Sequence, residues 1–223
     1  MDWHQSAVLA LAAAGILTVI LVGRREEGRL AAERLAFFDR CGPLLDRARR
    51  EPQPAGYPVL TGSYRGRAFW VEPVIDTLSV RKLPSLWLKV TLVEPMPVEA
   101  TTDILLRPLG TEDFTPFPHL SHQVETPEGF PSHAVVRTDA PLGVAPAEAL
   151  LPAAALLAKP YGKELLVTPK GVRVVVQAGE GNRLSYLLRQ ARFSPEPLDP
   201  EMLKEAMDAA IAVADGLKSA SGV

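Results

Sequence analysis

An α+β fold carried on one N-terminal membrane helix is what this sequence predicts, and three observations predict it. Residues 6–23 are apolar without a charge, runs of strand-forming residues give way to helix-favouring ones twice over, and the chain closes on a long apolar stripe at helical spacing.

The first observation concerns S-A-V-L-A-L-A-A-A-G-I-L-T-V-I-L-V-G, followed at once by Arg24 and Arg25. As helix this stretch extends ~27 Å, close to the thickness of a bilayer's hydrocarbon core. Thr18 is the one polar side chain well inside it, and its hydroxyl can bond a carbonyl of the same helix. A cleaved secretory signal needs a basic leader, whereas residues 1–5 contain Asp2 and neither Lys nor Arg. With the arginines on the far side, the positive-inside tendency predicts an inner-membrane protein, residues 1–5 outside and everything after Arg24 cytosolic. Ala10, Ala14 and Thr18 have the spacing of a helix-pairing face, set against a plain lipid-facing anchor.

Residues 24–51 are expected as an amphipathic juxtamembrane helix, with Leu30, Ala31, Leu35, Phe37 and Phe38 on its apolar face. It serves either as a stalk packed on the body or as a helix lying in the membrane interface. Gly28 is a place for a bend, Gly42-Pro43 a break, and Arg47, Arg49 and Arg50 a solvated helix end. Residues 52–56 form a linker, and residues 57–223 one α+β domain with a mostly antiparallel sheet and a C-terminal packing helix.

Within that domain, residues 57–64 and 67–75 are β-branched and aromatic, with Arg65-Gly66 between them as a tight hairpin turn. Alternation puts Phe69 and Val71 on one face and Trp70 and Glu72 on the other, with Trp70 and Trp87 expected in the core. Residues 86–93 and 103–107 make two more strands, ended by prolines, and residues 133–138 another. Residues 145–158 are apolar and helix-favouring, with Pro146 and Pro152 suited to first helical turns. A second hairpin surrounds Pro169-Lys170-Gly171, and residues 184–193 read as a third strand or as helix. Asp199-Pro200 then opens a helix whose stripe is Leu203, Ala206, Met207, Ala210, Ile211, Ala214 and Leu217. The two halves each open on a glycine-turn hairpin, without a residue-level repeat.

Composition excludes more than it selects. A net charge of −2 and the lack of any nucleic-acid motif argue against nucleic acid. Cys41, the only cysteine, can form neither an intrachain disulfide nor a cysteine zinc site; beside Arg40 it is a candidate nucleophile, against ordinary packing. His119, His122 and His133 are the only ligand-like cluster, but Pro116 and Pro118 disfavour the helix an i, i+3 pair needs. Ser121 and Ser132 lack the G-x-S-x-G elbow, and Gly62, Gly66, Gly179 and Gly181 have turn spacing rather than that of a phosphate loop. Arg65, Arg67, Arg81, Lys82 and Lys89 could make a basic surface for lipid headgroups, against a scattered solvated one. No catalytic, cofactor-binding or metal-binding residue is therefore assigned and no cofactor expected.

The function expected is that of a non-enzymatic, single-pass membrane protein whose cytosolic domain binds a protein partner, as an accessory or assembly subunit of a membrane complex. The alternative is a membrane-tethered domain for a small ligand or lipid, with or without hydrolytic activity, with residues 110–132 as its lid.

Overall fold

Proline and glycine punctuation divides the chain as the strand pattern requires. The computed structural model describes residues 3–53, 56–77, 83–110, 112, 114–182 and 193–222, and of residues 3–10 only the backbone. Helix α1 (Trp3–Leu35) leads through two 3-10 turns into β1 (Asp46–Glu51), β2 (Val59–Tyr64), β3 (Arg67–Asp76), β4 (Ser85–Val93) and β5 (Thr102–Leu106). After them come β6 (His122–Val124), β7 (Ala134–Thr138), the short helices α2 (Ala147–Leu150) and α3 (Ala154–Leu157), β8 (Gly162–Thr168), β9 (Gly171–Glu180) and α4 (Pro200–Ala220).

Among the described residues the strands form one antiparallel sheet in the order β1-β2-β3-β4-β9-β8-β5-β7-β6. The β2–β3 hairpin turns on Arg65 and Gly66 at φ of 51° and 75°, the paired positive dihedrals that match the twist of the flanking strands. The β8–β9 hairpin slots between β4 and β5. The two halves are thus interleaved in a single sheet, with no seam between duplicated units.

One face of this sheet carries the main core. Phe69, Val71, Leu86, Leu88, Val90, Val172, Val174, Val176, Leu165 and Ile104 are buried against α4 and the short helices. Each such side chain contributes roughly 1.5–3 kcal/mol by leaving water. The predicted stripe of α4 is its buried face, and Asp199 accepts a hydrogen bond from Glu201 N at its start. Gly216 lets α4 approach α2 closely, since a Cβ there would meet Ala149 Cα at 3.0 Å.

Differences from expectation cluster at the N-terminal side. α1 runs unbroken through Gly28 to Leu35, where Phe37 and Phe38 turn into the core. Residues 46–51, expected as the end of a juxtamembrane helix, are instead the edge strand β1. All six of its residues are exposed, so neither periodicity shows in the sequence. Charge on both faces, with a bulge between Asp46 and Arg49, is how an exposed sheet edge avoids pairing with other chains. Trp70, expected in the core, is 41% exposed on the open face, while Trp87 is buried. The third strand expected over residues 184–193 lies, apart from Phe193, outside the described residues.

Among the described residues no helix is long and apolar enough to cross a membrane. Residues 6–10 of the span expected to do so lie outside those whose side chains are described. The described part of α1 alone therefore does not carry that expectation.

Candidate functional site

Among the described residues, the face of the sheet turned away from α4 is covered over only part of its width. Where β5, β8 and β9 lie, residues 107–110, 112 and 114–121 form a strap across it, burying Phe114 and Phe117 against Trp87, Leu105 and Val175. The Trp87 and Phe114 rings stand 5.3 Å apart, and Arg137 lies 4.9 Å over the Phe117 ring. Toward β2 and β3 no described residue covers the same face, and Trp70 and Val93 are exposed.

Buried polar groups pin the strap. Glu112 accepts from the backbone N–H groups of Leu109 and Gly110 at 2.6 and 2.8 Å and faces Lys163 Nζ at 3.1 Å. Lys163 also donates to the carbonyls of Leu106 and Arg107 at 2.9 and 3.1 Å. Burial works to raise the Glu112 pKa, but the Leu109 N–H and the Lys163 charge outweigh it and hold the carboxyl below its ordinary range. Arg107 has a positive φ of 49°, and its Nη2 donates to Gly162 O at 2.8 Å.

A second cluster lies deeper. Asp103 on β5 and Glu164 on β8 are both fully buried; Arg173 Nε donates to Glu164 Oε2 at 3.2 Å, and Thr115 Oγ1 donates to Asp103 Oδ2 at 2.8 Å. Asp103 Oδ1 has no hydrogen-bond partner among the described residues. Burial, reinforced by the neighbouring Glu164 charge, pushes the Asp103 carboxyl well above the carboxylate range.

Beside the strap, at one end of the sheet, a cleft of about 390 Å³ opens between Arg107, Lys163, Trp87, Gln177, Asp76 and Glu180. Trp87 Nε1 donates to Asp76 Oδ2 at 3.2 Å, and Gln177 Nε2 donates to Ser85 Oγ at 3.1 Å. A lining that mixes Arg107, Lys163, Asp76, Glu180 and Gln177 with the Trp87 indole suits a small polar ligand rather than an acyl chain.

No family model matches this chain, and no curated protein matches it. Among solved structures, the crystal structure of the mycobacterial trehalose monomycolate transport factor A, TtfA, is similar over 76% of this chain and 79% of that one, at 12% identity and a TM-score of 0.34. A likeness at that level assigns no residue and no role.

The side chains singled out in the sequence do not converge on the cleft. His119, His122 and His133 are exposed at separate points around β6 and β7, and Ser121 and Ser132 are exposed as well. Among the described residues no group of three His, Cys, Asp or Glu side chains is placed to hold a metal ion. Cys41 is buried with its thiol toward Leu198 O at 3.7 Å, and burial pushes its pKa up to about 11, against the pull of Arg50. This is the setting of a packing thiol rather than a nucleophile. Of the basic set, Arg65 pairs with Asp208, Arg67 with Glu94 and Asp215, and Lys89 with Glu72; Arg81 and Lys82 lie outside the described residues. For the three described residues, those pairings favour the scattered solvated surface over a basic one.

Sequence reasoning missed Asp103, Glu112, Lys163, Glu164 and Arg173. The available signal was an ionisable residue inside an apolar strand, as in T-D-I-L-L and K-E-L-L-V-T. On a strand covered on both faces, such a residue must be paired or neutral.

Proposed function

We propose that this chain is a single-pass membrane-anchored protein whose cytosolic α+β domain binds a protein partner, as an accessory subunit of a membrane complex. The observation that carries this reading is the state of α1. From Leu11, 75% exposed, through Val19, 72% exposed, to Val22, its apolar side chains are exposed and pack against none of the described residues of the domain. So much uncovered apolar surface on one helix calls for lipid or a partner. Thr18 Oγ1 bonds back to Ala14 O at 2.8 Å, so that stretch holds no unmet side-chain donor. In the sequence the uncharged run begins at Ser6, which adds the length that the described part lacks.

The root of α1 supports transmission of force or orientation rather than free tethering. Phe37 packs edge-on against Phe38 and Tyr57 at 4.9 Å, and Leu198 N donates to Phe37 O at 2.8 Å. A partner surface is available on the open half of the sheet, where Trp70 stands beside β2 and β4. Exposed tryptophan is enriched in interface hot spots.

The second reading, a small-ligand domain, is favoured by the cleft beside the strap. Against a lid over an apolar chamber stands the packing of Phe114 and Phe117, which fills the space beneath the strap. A photoreactive side chain at position 70 of the intact, membrane-borne protein separates the two. A discrete adduct that is absent when the probe sits at Lys204 supports partner binding; a chain that stays solitary with either probe contradicts it.

A further inference from the structure

We propose that Asp103 carries a proton at neutral pH beside the Arg173-bonded Glu164, and that this proton keeps the strap around Thr115 on the sheet. The inference is independent of the membrane and partner reading.

The geometry supplies one cation for two carboxyl groups in a site without water access. Arg173 is bonded to Glu164 by Nε and Nη2 at 3.2 and 3.4 Å. The other charged groups around Asp103 are engaged elsewhere. Lys163, next to Glu164 on β8, faces Glu112 of the strap; Lys89 on β4 faces Glu72 of β3. Arg137 is in register with Asp103 on β7, yet its guanidinium lies over Phe117, with Nη1 3.5 Å from Phe117 O. Among the described residues no ion pair reaches Asp103. A second buried negative charge would stand uncompensated, and its cost is avoided by leaving the acid neutral.

The strap hangs from the same carboxyl group. Thr115 Oγ1 donates to Asp103 Oδ2 and accepts from Phe117 N at 3.1 Å, so the hydroxyl ties strap backbone to β5. Oδ1 accepts no hydrogen bond from the described residues, which makes it the oxygen available to carry the proton. When hydroxide removes that proton, forming water and a carboxylate, the new charge must be hydrated, and Thr115, Phe114 and Phe117 are what exclude water. The strap around Thr115 therefore lifts with rising pH, while the Glu112–Lys163 pair still holds its Leu109 end.

The test uses the intact chain in detergent micelles with ¹³C-labelled aspartate carboxyl groups. The Asp103 resonance, identified by its loss in Asp103→Asn, is expected at the position of a protonated acid at neutral pH. Above the transition, protection of the Phe117 amide against hydrogen exchange should fall about tenfold per pH unit, the dependence of a one-proton linkage. Asp103→Asn should abolish that step while keeping the Thr115 contact. Glu164→Gln, which frees Arg173, should move the Asp103 resonance to the ionised position at neutral pH. An Asp103 resonance already ionised at neutral pH in the unsubstituted chain, or an alkaline step that persists in Asp103→Asn, overturns the proposal.

Discussion

Lys163 and Glu112 face each other 3.1 Å apart with side chains 4% and 2% exposed, and the ammonium lies 5.5 Å from the Trp87 ring centroid. Such a pair contributes little net stability against an apolar replacement of the same shape, but losing one member leaves a bare charge in the interior. Glu112→Gln or Lys163→Met should each destabilise the domain by about 3–5 kcal/mol, and the double substitution by clearly less than their sum. Denaturant unfolding of the three variants checks this; simple additivity contradicts a paired role.

Glu94 ties the end of β4 to α4 through Arg67 and Lys218. Hydrogen bonding to Arg67, with help from Lys218, holds the Glu94 carboxyl below its ordinary range in spite of partial burial. A depressed folded pKa means stability that is present above the unfolded pKa and lost as pH falls through the folded one. Glu94→Gln should therefore flatten the acid limb of a stability curve and leave its alkaline limb unchanged.

The β8–β9 hairpin depends on one residue's lack of a side chain. Gly171 has φ of 155°, and a Cβ there would lie 2.1 Å from Leu92 O. Gly171→Ala should cost more than about 2 kcal/mol, because backbone rather than a movable side chain must yield. Thermal unfolding measures it, and a variant as stable as the parent would show that β4 and β9 separate freely.

Cys41 offers a chemical readout of the root of α1. Its thiol is fully buried and held near a pKa of about 11, so alkylation at neutral pH should be negligible until denaturant is added. Rapid modification of the native chain would mean that the Phe37, Phe38 and Tyr57 packing is open.

What the sequence disclosed follows what it encodes locally. The β2–β3 and β8–β9 hairpins, β4, β7 and α4 with its Asp199 cap all lie where alternation, turn residues and the α4 stripe put them. Strand order was not legible, because the insertion of β8 and β9 between β4 and β5 is decided by long-range packing. β1 was hidden because D-R-A-R-R-E is charged on both faces. The Asp103, Glu164 and Arg173 cluster was hidden because its members come from three strands whose adjacency is a product of that order.

On the proposed reading, the apolar stretch of α1 is what holds the protein in the membrane. Fractionation of cells expressing the intact chain, with alkaline carbonate extraction of the membranes, tests it most directly. The chain should remain in the extracted membranes, and a version with Leu11, Ile16 and Val19 replaced by Asp should move to the supernatant. Recovery of the unaltered chain in the supernatant would contradict the account.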